Sequence, residues 1–365
     1  MDWQRWLGIG LLAMALAACA SASSGSSPTG GGARGAEAPS AMGSANSAPV
    51  PADAGTAPTP ARRVAMRYGL NTPGVDVAPV WIAKEQGFFE KYGIDAELVT
   101  LPADQLVAAI ISGEMAMTNL AGTPLVSAGL AGADLTFYGS FSSVLRFPLY
   151  ARPEIGSVQE LRGKEIAITS RAGVVKRTAE LILQRNGMNP EGDTTLIATG
   201  NNNNSLSALL SRNVAAAILS PPATFRAQDE GMRLLVDTAD YQYPTILAGI
   251  AASRAWVGRN EDLARGTLQA IAEGVAFAVQ QKERTKEIIA QYLQNDDPEL
   301  LERSYNAQAM GWERTLLVPA EAIRAELEGI APDNPAGRTA RPEQFYDNQM
   351  VEELERQGFF RRLWP

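Results

Sequence analysis

From Arg63 onward the chain alternates between short strand patterns and longer helix patterns with brief connections, and this alternation points to an α/β architecture with parallel sheets. Residues 63–70 read as a strand with Val64, Met66 and Tyr68 on one side. Asn71, Thr72, Pro73 and Gly74 break it, and Asp76 stands where it would cap a helix over 77–86. A strand at 95–100, a helix at 104–112, a small-residue strand at 115–119, a helix at 124–131 and a strand at 135–141 follow. A second α/β unit opens after Pro153, with strands at 165–169, 194–198 and 215–219 and helices at 174–186 and 204–211. Past Asn260 the pattern is helical, over 263–280, 283–293, 299–308, 320–329 and 343–357.

The chain before Arg63 has no part in that pattern. Residues 20–61 are almost entirely Ala, Ser, Gly, Pro and Thr, with no apolar periodicity. Such a composition cannot build a core, so 20–62 is expected to be a disordered linker. As a flexible coil it would span roughly 35 Å. Ahead of it, Arg5 precedes an apolar run over 7–18, the length of a signal segment and too short to cross a bilayer. The run ends in Leu16-Ala17-Ala18-Cys19, which resembles the bacterial lipobox. That resemblance implies a signal peptide over 1–19, a diacylglycerol on the Cys19 thiol, cleavage before it and acylation (palmitate) of the new amine. Several acyl chains make a stable membrane anchor where one would be marginal.

Composition excludes whole classes of function. The chain of 365 residues has a formal charge of −8, which argues against nucleic acid and against electrostatic attachment to anionic lipid. Histidine is absent and cysteine occurs once. A histidine-based triad, a histidine general base and the usual zinc sites are ruled out, as is an intrachain disulfide. No nucleophile–base pair or metal cluster stands in their place, so neither an enzyme nor a cofactor is expected.

Polar residues gather instead at the predicted carboxyl ends of strands, where open α/β sheets bind ligands. Asn71 and Thr72 end the first strand, Asn119, Gly122 and Thr123 follow the third, and Ser140 and Phe141 end the fourth. Ser170, Arg171, Ala172 and Gly173 open the helix over 174–186, where free N–H groups and a guanidinium make an anion site. Pro221 completes the set, with Tyr243, which along with Tyr241 and Phe141 offers an aromatic face. Each of these residues also reads as ordinary turn, cap or packing chemistry. Asn201 to Asn204 reads first as a cap for the following helix.

The segment Ala83-Lys84-Glu85-Gln86-Gly87-Phe88-Phe89-Glu90-Lys91-Tyr92-Gly93 resembles the signature of substrate-binding proteins of transporters for nitrate, sulfonate, taurine and thiamine-pyrimidine precursors. Leu161-Arg162-Gly163-Lys164-Glu165-Ile166-Ala167 and Leu354-Glu355-Arg356-Gln357-Gly358-Phe359-Phe360 extend the likeness over the whole folded module. It implies a type II periplasmic-binding-protein-like fold, with one lobe over 63–150 and 247–365, the other over 151–246, and a ligand cleft between them. It implies first and second hinge crossings near 147–151 and 245–251. It also implies a small-molecule ligand, an ABC permease and ATPase as partners, an extracytoplasmic location at the membrane, and a monomer. Arg171 makes a small organic anion, such as a sulfonate or carboxylate, the expected ligand. A vitamin precursor or aromatic heterocycle is the alternative, and a sensory binding protein the alternative role. The family ends two helices with Gly-x-x-Asp, whereas here Ala116 and Ala215 replace the aspartates and Arg212 replaces one glycine.

Overall fold

The computed structural model describes residues 63–364 except 72, 73, 144 and 172. The signal run, Cys19 and the linker therefore lie outside the described residues, as do Thr72 and Ala172. The module begins with β1 (Val64–Leu70), passes through α1 (Ala78–Glu85) and α2 (Phe88–Lys91), and returns as β2 (Ile94–Thr100). Then come α3 (Ala103–Ser112), β3 (Met117–Leu120), α4 (Gly122–Leu130) and β4 (Thr136–Ser140). The second run holds β5 (Leu149–Ala151), β6 (Glu165–Ile168), α5 (Val174–Arg185), β7 (Thr195–Ala198) and α6 (Asn202–Leu210). It ends with β8 (Ala216–Ile218), α7 (Ala223–Asp229) and β9 (Arg233–Val236). β10 (Gly249–Ala252) leads into α8 (Arg254–Val257), α9 (Glu261–Gln280), α10 (Lys282–Leu293) and α11 (Pro298–Ala309). Last come α12 (Ala320–Ile330), α13 (Gln349–Arg356) and α14 (Phe359–Leu363).

The strands form two five-stranded sheets, in the orders β2-β1-β3-β10-β4 and β7-β6-β8-β5-β9. Each sheet carries one reversed strand: β10 is antiparallel to β3 and β4, and β5 is antiparallel to β8 and β9. A purely parallel reading of the sequence therefore needs correcting. Each reversed strand is the first one after the chain crosses between lobes, so it enters its sheet from the opposite end. β5 belongs to the second sheet and begins at Leu149, just ahead of the division after 150 expected from sequence, and β10 belongs to the first.

Both sheets are covered on both faces, as parallel-type sheets require. In β1, Met66, Tyr68 and Leu70 pack with Trp81 of α1 and with Leu268 and Ile271 of α9. The opposite face is covered by Leu106, Leu125, Ile323 and Leu327 from α3, α4 and α12. In the second sheet Ile166 and Ile168 join Ile182 and Leu183, whereas Ala167 between them turns to Leu206 and Leu209. The two crossing segments run side by side: Thr245 N–H donates to the Ser143 carbonyl at 3.0 Å and Leu247 N–H to the Ser142 carbonyl at 2.9 Å. This pairing joins the lobes as a short double strap, the form of a hinge that bends without parting.

Candidate interlobe binding site

A narrow cavity of about 20 Å³ opens where the hinge meets both lobes, so a ligand larger than water enters only as the lobes part. The first lobe supplies Thr123 of α4 and Glu326 of α12, the second supplies Arg177 and Thr178 of α5, and the return crossing supplies Tyr243 and Thr245. Glu326 is only 8 % exposed. It is held by two hydroxyls: Thr123 Oγ1 donates to Oε2 at 2.7 Å and Thr245 Oγ1 to Oε1 at 2.6 Å. A Cβ on Gly122 would fall 2.6 Å from the Glu326 carboxyl carbon, so only glycine lets α4 lie this close. Burial pushes the Glu326 carboxyl up from its ordinary value, and the two threonines and the nearby Arg177 charge oppose that rise without cancelling it.

Arg177 approaches from the other lobe. Its guanidinium donates to Glu180 at 2.9 Å, interacts with the Tyr243 hydroxyl and rests on Gly329 of α12. Carboxylate and guanidinium thus face each other across the cleft. Glu180 is shared by Arg177 at 2.9 Å and Lys176 at 2.7 Å, so Lys176, Arg177, Glu180 and Glu326 together carry no surplus positive charge.

A second polar region lies at the carboxyl ends of β1, β3 and β4. Asp76 does not cap α1, as the sequence suggested. The helix begins without a side-chain cap, and Asp76 folds back toward Gly74, while its carbonyl accepts from Trp312 Nε1 at 3.1 Å. Burial pushes the Asp76 carboxyl up to about 6, its own amide opposing. Asn119, 2 % exposed, leaves Nδ2 without a partner among the described residues, as do Ser142 at Oγ and Arg146 at Nε. Buried donors left unpaired are costly and call for an account.

The expected site residues divide accordingly. Gly122, Thr123 and Tyr243 line or shape the pocket, and Gly173 precedes the helix that brings in Arg177. Asn119 is a buried donor in β3 of the first lobe that does not line the pocket, and Asn71 is half-buried at the end of β1. Ser140 is bonded to Ser142 and Ser143, and Phe141 is core. Pro221 is half-buried before α7. Ser170 and Arg171 are exposed, and Arg171 forms no ion pair with a described residue. Asn201 caps α6 through Asn204 N–H at 2.8 Å. Sequence reading missed Arg177 and Glu326. The signal for Glu326 was available: it breaks an otherwise apolar stripe, with Ala322 and Ile323 before it and Ile330 after it.

Two lobes, two five-stranded sheets with one reversed strand each and a paired hinge define the periplasmic-binding-protein class of fold. Residues 75–285 match the profile of the family described as NMT1/THI5 like, and the chain belongs to that family. It is 25 % identical over 268 residues to the riboflavin-binding protein RibY of Chloroflexus aurantiacus, covering 68 % of this chain and 74 % of that one. Among solved structures it resembles the alkanesulfonate-binding protein SsuA of Xanthomonas axonopodis pv. citri, bound to MOPS. The TM-score is 0.61 at 19 % identity, covering 77 % of this chain and 95 % of SsuA. It also resembles the periplasmic nitrate-binding protein NrtA of Synechocystis PCC 6803, with a TM-score of 0.63 at 15 % identity, covering 83 % and 91 %. Among the described residues no helix is long and apolar enough to cross a membrane, and no group of three or more acidic, Cys or His side chains is placed to hold a metal.

Proposed function

We propose that the chain is the solute-binding subunit of an ABC importer. It would be held outside the cytoplasm by acyl chains on Cys19 and act as a monomer that closes on a small molecule and presents it to a permease and ATPase. Within that role we infer a neutral heterocycle with both N–H and carbonyl edges, rather than a compact anion. One observation carries this choice: Arg177, the only guanidinium lining the interlobe pocket among the described residues, is balanced by Glu326 and by Glu180, which Lys176 shares. A sulfonate or nitrate would meet a buried carboxylate with no free cation beside it, an arrangement that costs binding energy. Arg171, the reason to expect an anion, is exposed and does not line this pocket. A heterocycle can donate an N–H to Glu326, and the riboflavin-binding relative is in keeping with that class. A thermal-shift screen of flavins and pyrimidines against sulfonates, carboxylates and nitrate tests the choice. Ligand at 100 times its dissociation constant adds about 2.7 kcal/mol of stability. Shifts with heterocycles alone are expected; shifts confined to the anions would reverse the assignment.

A further inference from the structure

The lobes also touch at a place that lines no part of the pocket. Arg303 of α11, in the first lobe, directs Nη1 to both carboxylate oxygens of Asp229 in α7 of the second lobe, at 2.8 Å each. Its Nη2 donates to Gln228 Oε1 at 3.1 Å, and its guanidinium carbon sits 4.7 Å from the centre of the Phe225 ring. One side chain therefore makes an ion pair, a neutral hydrogen bond and a cation–π contact with three residues of the opposite lobe. The Arg303 side chain is 25 % exposed and that of Asp229 57 %, so the pair is shielded on the arginine side, where Glu299 of α11 also lies 3.8 Å away. The planar guanidinium serves all three contacts at once, which a lysine ammonium cannot do.

We propose that Arg303 is a positioning residue, a latch that holds the lobes closed without help from ligand. The inference rests on the two-lobed fold and not on the identity of the solute. If closure is partly prepaid, the ligand-free protein already populates the binding-competent form, and apparent affinity scales with that population. Opening the latch would then weaken binding of any solute by the same factor.

The test uses the full chain with Cys19→Ser, which removes the single cysteine. Spin labels are placed at Ser207→Cys in the second lobe and Asp296→Cys in the first, both exposed positions. Pulsed dipolar spectroscopy then reads the interlobe distance without ligand. The parent protein is expected to show a dominant short distance. Arg303→Ala should move the closed-to-open ratio about five- to tenfold toward open, the weight of a partly shielded ion pair with a cation–π contact. The exchange of Arg303→Asp with Asp229→Arg rebuilds the ion pair without the Gln228 and Phe225 contacts, so it should recover part of the short-distance population, which a general packing defect would not allow. If Arg303→Ala leaves the distance distribution unchanged while the protein remains folded, or if the exchanged pair stays as open as Arg303→Ala, the latch is refuted.

Discussion

Glu326 and Arg177 line one pocket from opposite lobes, each lying against a glycine. Gly122 leaves room for the carboxylate, and Gly329 leaves room for the guanidinium, whose Nε would be 2.5 Å from an added Cβ. The long arginine can swing aside, so Gly329→Ala should leave the fold intact and even strengthen α12 by about 0.5–1 kcal/mol. It should nevertheless weaken ligand binding, because Arg177 is displaced; a raised melting temperature with undiminished affinity would contradict this. Glu326→Ala removes a charged acceptor worth about 1.5–3 kcal/mol and is expected to weaken heterocycle binding at least about tenfold by calorimetry. Asp76 gives a pH signature. Its native carboxyl holds a proton up to about pH 6, whereas the ordinary aspartate value is 3.8. Between those values the native state binds more protons than the unfolded one, so stability falls as pH rises through the window. Asp76→Asn should therefore raise the melting temperature above about pH 6, while below about pH 3.8 the gain should vanish. An equal gain at both ends would show that ionisation is not the cause.

At the scale of elements, most helices were legible because amphipathic spacing survives in a single sequence. The expected helix over 263–280 corresponds to α9, and the one over 174–186 to α5. β5, β9 and β10 were not legible. Each has only three or four residues, and their place is set by partners far along the chain, such as Ile250 between Asn119 and Gly139. The departures from the family's Gly-x-x-Asp pattern are absorbed locally. Gly113 takes φ 79° after α3, and Arg212 takes φ 63° at the equivalent turn after α6. Nothing lies within 4 Å of a Cβ on Gly113, so Gly113→Ala tests backbone strain alone. It should cost about 1–2 kcal/mol in denaturant unfolding. A loss near zero would mean that the turn can relax. Arg212 bears that conformation while pairing with Glu154, and Arg152 donates to its carbonyl.

For the whole molecule, the two-lobed plan and its cleft could be read from the sequence, but the residues that close the cleft could not. Strand ends mark where a ligand can sit, and of the residues read there Gly122 and Thr123 stand at the pocket, as does Tyr243, read as part of an aromatic face. Arg177 and Glu326 come from within helices, and they line one pocket only once the lobes fold together. Arg171 has the right chemistry at a helix start, yet it is exposed outside the pocket. The proposed anchor acts at this scale too: Cys19→Ser should release soluble protein that still binds ligand, and retention at the membrane would remove the anchor from the proposal. In the proposed function the interlobe pocket binds a neutral heterocycle through Glu326. Calorimetric titration of the parent protein and Glu326→Ala, each with a pyrimidine or isoalloxazine compound and with an alkanesulfonate, tests this. Saturable one-to-one binding of the heterocycle to the parent is expected, at least about tenfold weaker in Glu326→Ala, with no heat from the sulfonate. Tight sulfonate binding, or heterocycle binding indifferent to Glu326, would contradict it.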